Sequence, residues 1–192
     1  MHRHLLILFL WVTVGACAPK SRAMEKPVVD IDGLIDRQLA LLTGRKPVLN
    51  KVAGIHDRAS DTTYVPDKEA WRSELEIYRS LGMLNQRIYE GTYKTEGPLD
   101  DPLSNLLIRQ YANDEAPLKL LRVYYLEKPD RIRQVEGEVE ESTPLLTSSR
   151  RLTMWFEDDR GSLLLTRYQL TGYQKAALRD TVRFQIQGAI KW

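Results

Sequence analysis

The chain has 192 residues, with 28 Lys or Arg against 26 Asp or Glu and a formal net charge of +2. Charges of both signs are interspersed along it, which leaves no electrostatic footprint for nucleic acid. A single cysteine rules out an intrachain disulfide framework, while 43% hydrophobic residues are enough to stabilise one ordinary domain through its core.

The first element in chain order is a processing signal. A short basic segment, "MHRH", precedes an apolar run from Leu5 to Val14, too short to cross a hydrocarbon layer of roughly 30 Å as a helix. Val14, Gly15 and Ala16 then lead into Cys17, small residues suited to a peptidase that cuts in front of a cysteine. This stretch resembles the lipobox of bacterial lipoproteins. The resemblance covers residues 1–17. It implies that 1–16 are a signal peptide, that the Cys17 thiol carries lipid, and that the protein is a membrane-attached component of the cell envelope. At about 0.8 kcal/mol per buried methylene, two or three acyl chains make an effectively permanent anchor. Ala18 stands where an Asp tends to retain such proteins at the inner membrane, so attachment to the outer membrane facing the periplasm is implied. A plain secretory signal cut near "GACA" would instead leave a diffusing protein with a free thiol. Residues 17–29 read as the lipidated cysteine and a flexible tether, because "APKSRAMEKPVV" is polar, carries two prolines and has no period. Residues 30–192 read as a single globular α+β domain.

Within that domain Ile31, Leu34, Ile35, Leu39 and Leu42 fall at helical spacing, with Asp30 as cap and Gly44 and Pro47 as stop signals. "KPVLNKVAGI" suggests a short helical turn and "HDRASDTTYVP" a polar loop. A second helix is expected from about Asp67 to Gly82, with Trp71, Leu75, Tyr78 and Leu81 on one stripe and Arg72 and Glu76 as an i,i+4 pair. "IYEGTY" is a possible short strand, followed by a loop, "KTEGPLDDPLS". Segments 105–112, 118–127, 131–140, 146–157, 163–171, 173–178 and 182–191 then read as strands joined by tight turns, with Gly172 as a break or bulge. The expected fold is α+β, with N-terminal amphipathic helices packed on a curved antiparallel β-meander of about six to seven strands. Its half-barrel layout is similar to that of lipocalins and lipoprotein carriers. No motif of those families matches residue by residue, so the likeness implies no binding residue.

Catalytic chemistry is sparse in the sequence. His56 is the one histidine beyond the signal, and without a second His or Cys neither a Cys–His pair nor a zinc site of common composition can be assembled. Asp30, Asp32 and Asp36 have the wrong spacing for a calcium loop and suit a helix start. Glu136, Glu138 and Glu140 share one strand face beside basic residues, the pattern of a solvated face with cross-strand ion pairs. Thr62 and Thr181 follow Asp as in some periplasmic O-glycosylation acceptors. Neither an enzyme activity, nor a cofactor, nor a metal site follows.

Arginines within apolar strand faces are the remaining signal. Arg122 alternates with Leu120 and Tyr124, Arg150 with Leu152, Met154 and Phe156, and Arg167 with Leu163 and Leu165. If these faces converged, they would line an apolar cavity with cationic groups, suited to an amphiphile with an acidic head. The expectation is therefore a non-catalytic, lipid-anchored envelope protein that binds an amphiphilic ligand or a protein partner on its sheet. The alternative is a structural subunit of an outer-membrane assembly that docks through helix 71–81 or a sheet edge. An envelope hydrolase comes last.

Overall fold

The computed structural model describes residues 29–192, so the signal-peptide, Cys17 and tether readings on residues 1–28 lie outside the described residues. Helix α1 (Ile31–Arg45) is followed by strands β1 (Val48–Ile55) and β2 (Arg58–Tyr64), then by helix α2 (Lys68–Glu76). A 3₁₀ segment (Ile77–Asn85) and a 3₁₀ turn (Arg87–Tyr89) come next. The rest is strand: β3 (Lys94–Asp100), β4 (Leu107–Ala112), β5 (Leu118–Tyr125), β6 (Ile132–Ser142), β7 (Leu146–Asp159), β8 (Ser162–Ala176) and β9 (Val182–Lys191).

The nine strands form one open sheet in the order β2-β1-β9-β8-β7-β6-β5-β4-β3, every pair antiparallel. From β3 to β9 the chain is an uninterrupted meander, and the β1–β2 hairpin is added beyond its last strand. This places β2 and β3 at opposite edges, so the segment joining them has to traverse the sheet. It does so as α2 and the 3₁₀ segment, which packs on β5 and β6, while α1 lies against α2, the 3₁₀ segment and β8. Among the described residues, one face of the sheet is thereby covered and the other is not.

The covered face carries the core. Ile31, Leu34, Ile35 and Leu42 of α1 and Trp71, Leu75, Tyr78 and Leu81 of the second helical segment are buried against Leu121, Val135, Leu152, Met154, Leu165 and Tyr168. Each such side chain contributes about 1.5–3 kcal/mol through the apolar area it removes from water. Close approach is made possible by two glycines. A Cβ on Gly137 would collide with Leu81, and one on Gly188 with the Tyr168 ring. The described residues share this one hydrophobic cluster.

Helix α1 starts where Asp30 accepts a hydrogen bond from Gly33 N–H at 2.9 Å, but it ends differently from the expectation. It runs through Gly44, and Lys46 takes the left-handed conformation that closes the helix, its N–H donating to Leu42 O at 3.0 Å. Asp67 caps α2 through Ala70 N–H. The expected single helix to Gly82 is α-helical only to Glu76, and 3₁₀ geometry then carries Tyr78 and Leu81 to the same face. Arg72 pairs with Glu69 and not with Glu76, which bonds Arg79 instead.

The described residues form nine strands and not six or seven. Residues 48–64, expected as a turn and a polar loop, are the β1–β2 hairpin; residues 94–100, expected as a loop, are β3; "IYEGTY" is 3₁₀ and turn. Segments 163–171 and 173–178 are one strand, and Gly172 is no break. It is a glycine because a Cβ there would meet the Ser149 carbonyl and the Phe184 ring. The irregularity lies upstream, between Leu165 and Arg167, where Thr166 is the extra residue opposite Trp155 and Phe156.

Candidate functional site

The register lines up the uncovered, outer face in rows across the sheet. One row runs Ile108, Tyr124, Gln134, Trp155, Arg167, Ala189 and Asn50. The next runs Gln110, Arg122, Glu136, Thr153, Gln169, Gln187 and Val52. Most of these side chains are half-buried by their neighbours, with no element of the described residues above them. Amides, hydroxyls and aromatic rings dominate, and the charges are largely engaged. Arg122 Nε donates to Gln110 Oε1 at 2.9 Å, and Tyr124 donates its hydroxyl to Glu136. Arg151 pairs with Glu138 at 2.6 Å and approaches Glu136 at 3.7 Å. Glu136 and Glu138 thus sit in cross-strand ion pairs with Arg151, while Glu140 is exposed opposite Ser149.

The three arginines do not converge. Arg122 and Arg167 are on the outer face, separated by β6 and β7, whereas Arg150 opposes Val139 and Gly172 on the inner face and binds Glu141 at 2.6 Å. Arg167 does not share a face with Leu163 and Leu165, because the extra residue Thr166 turns it outward, where its guanidinium stacks on Trp155 at 4.9 Å from the ring centroid. A shallow hollow of about 180 Å³ lies beside this stack, lined in part by Asn50, Val52, Gln169 and Gln187. A second hollow of about 470 Å³ sits at the rim, between Arg45, Asp159 and Trp192. The first is small and the second is lined by acids, so neither has the size and apolar lining of an enclosed amphiphile pocket. The space under the helices is filled by the core.

Helix stripe 71–81 is spent inside the molecule: Trp71, Leu75, Tyr78 and Leu81 are all at most 1% exposed. His56 is exposed at the β1–β2 turn, where its N–H donates to Arg183 O at 3.0 Å. Thr62 is exposed on β2 and Thr181 half-buried ahead of β9.

A polar cluster on the inner face has no signature in the sequence. Glu74 of α2 reaches the sheet and accepts hydrogen bonds from Lys51 Nζ of β1 and, at 2.8 Å, from the Tyr168 hydroxyl of β8. Burial, then the Glu74 charge, pushes the Tyr168 phenol far up, and the same causes act on Tyr78, whose ring meets that of Tyr168 edge to face. Phenols held neutral in this way are poor bases and nucleophiles at neutral pH. The arrangement clamps α2 to two strands, and Lys51 and Glu74 are each other's charge partners. Only the fold brings residues 51, 74 and 168 together.

Comparison with protein-family models, with curated proteins and with solved structures finds no match to this chain.

Proposed function

We propose that the chain is a non-catalytic bacterial envelope lipoprotein, anchored through Cys17 at the outer membrane and facing the periplasm, which binds a protein partner on its outer sheet face. The observation that carries this reading is the contrast between a filled interior and a broad uncovered face. An amphiphilic ligand would need an enclosed apolar space, whereas amides, hydroxyls and half-buried aromatics on an open surface suit contact with another protein. The sheet is read as curved round its helices in a half-barrel layout like that of the lipoprotein carriers.

The accessory-subunit reading is favoured by one observation, the difference between the sheet's edges. β2 pairs with β1 in unbroken register over seven residues, all but Tyr64 exposed, and so offers a regular row of backbone groups to an incoming strand. At the other edge, β3 is interrupted at Gly97 and Pro98, and proline lacks a ladder donor.

The test has two arms. Cys17→Ser is expected to leave the chain unprocessed by the lipid route and to release it from the membrane fraction; normal processing and pelleting would remove the anchor. A photo-reactive residue at Gln169 is expected to cross-link a discrete partner in cells, while one at the exposed Arg72 of α2 is not. Equal adducts, or none, at both positions would remove the binding face.

A further inference from the structure

The ends of three neighbouring hairpins lie side by side at one end of the sheet. The register pairs Ile55 with Phe184, Phe184 with Gly172, and Gly172 with Arg150, so the β1–β2, β8–β9 and β6–β7 turns form one edge. Hydrogen bonds tie them together: Ala177 N–H donates to Leu145 O at 2.8 Å and His56 N–H to Arg183 O at 3.0 Å. Each turn exposes an aliphatic side chain. Leu178 is fully exposed, Leu145 is 74% and Ile55 58% exposed.

Leu178 breaks a local rule as well. It is the third residue of the turn closed by Arg179 N–H on Ala176 O, and it has φ 61°. Glycine or asparagine is favoured at such a position, and a bulky apolar residue there is an outlier. No burial compensates for it. Exposed aliphatics scattered singly need no explanation; three on hydrogen-bonded neighbouring turns do.

The surroundings say what would cover them. Residues 55–58 and 175–183 carry the cations Arg58, Lys175, Arg179 and Arg183 against the acids Asp57 and Asp180, and all four cations are exposed. The third hairpin adds two exposed acids, Glu140 and Glu141, of which Glu141 is engaged by Arg150, so exposed cations still outnumber the unengaged acids by four to three. Aliphatic tips ringed by basic groups have the chemistry of a surface that enters the headgroup layer of an anionic bilayer.

We infer that these three turns dock on an anionic membrane surface, with Leu178, Leu145 and Ile55 entering the interface and the arginines and lysine meeting the lipid phosphates. This contact rests on the envelope location proposed above and adds a second one. Twelve peptide steps from Cys17 to Val29 reach about 40 Å when extended, comparable with the length of the strands, so an anchored chain can lay this end on the bilayer that holds it.

The test uses the full chain carrying Cys17→Ser, with an environment-sensitive fluorophore at Ala177→Cys and, as a control at the opposite end, at Arg160→Cys. Vesicles containing phosphatidylglycerol are expected to move the label at 177, but not that at 160, into an apolar environment. Salt is expected to weaken the response, and pure phosphatidylcholine to give almost none. Leu178→Ser is expected to lower the partition coefficient roughly tenfold. A silent label at 177, equal responses at both positions, or a label that only a protein shields in whole envelopes would overturn the inference. The label reports on the turn itself, so it can fail while the anchor stands, and the fractionation of Cys17→Ser can fail while the label responds.

Discussion

The two faces of the sheet are made from the same strands, often from adjacent residues, yet they solve different problems. On the inner face Val135, Leu152, Met154 and Tyr168 are buried under helices, and a polar group left unmatched there, as Trp71 Nε1 and the Tyr78 hydroxyl are, costs free energy that water cannot offset. On the outer face Gln134, Trp155 and Gln169 are only half covered, and water can supply missing partners. A polar group is therefore a structural commitment on one side and a surface choice on the other. Substitutions of similar chemistry ought to separate sharply by face.

Gln38 gives the largest expected separation. It is 2% exposed on α1. Its side chain donates to Leu163 O at 2.9 Å and accepts from Leu165 N–H at 2.8 Å. β9 pairs with β8 only as far as Arg167, so beyond that point the edge of β8 has no strand neighbour. Gln38 replaces it, and Trp192 Nε1 adds a bond to Leu165 O at 2.9 Å. Gln38→Met keeps the volume and removes both bonds, leaving the buried Leu165 N–H and the part-buried Leu163 carbonyl unmatched, with an expected loss of about 2–4 kcal/mol. Urea unfolding would show it as a lower midpoint at unchanged slope. A midpoint indistinguishable from the parent would mean that packing alone seats α1.

A further effect is expected from pH, and it is largest for the phenols of the inner side. Tyr78 and Tyr168 are at most 2% exposed, and burial, followed by the Glu74 charge, raises both phenols well above their ordinary value of 10.0. Tyr93, which donates to Leu118 O, is pushed up to about 12 chiefly by burial. Above pH 10 the unfolded chain releases protons that the folded chain keeps, so stability is full below that pH and falls as pH rises. The slope is about 1.4 kcal/mol per pH unit for each fully buried tyrosine. Phenolate absorbance from these residues is expected to appear together with loss of circular dichroism. Reversible titration of all the tyrosines in a chain that stays folded would show that the inner face admits water.

The same distinction explains what could be read from the sequence. Asp30 with the α1 stripe, and the alternation of β9, each bury one face and leave one wet, and both elements lie where their patterns place them. β2 has no such contrast because it is an edge with its whole length exposed up to Tyr64, and β1 places Lys51 and Ala53 on the core side and Val48 and Val52 on the other. Period counting cannot find strands of that kind. It also fails across an inserted residue. Arg167 is assigned to the Leu163 and Leu165 face only if Thr166 counts as an ordinary position, and one extra residue inverts everything beyond it. The Lys51, Glu74 and Tyr168 clamp is invisible for a different reason, since its members meet only through the addition of β1 beyond β9.

The smallest expected effect lies on the outer face, in the pair of Arg151 and Glu138. Their atoms approach to 2.6 Å, but the side chains are 60% and 33% exposed, so the Coulomb gain is screened and the rotamer entropy of both chains opposes it. A double-mutant cycle of Arg151→Ala and Glu138→Gln should give a coupling of about 0.2–1 kcal/mol, shrinking with added salt. Glu136, the second acid near Arg151, is available to it when Glu138 is changed, which keeps the value at the low end. A coupling several times larger would mean that this face is drier than its open position implies. A coupling in the expected range has the opposite consequence. Residues that add so little to stability can be selected for what they contact, which is the condition a binding surface has to meet and one that the helix-covered side, with Gln38 and Tyr168 fixed by the fold, cannot.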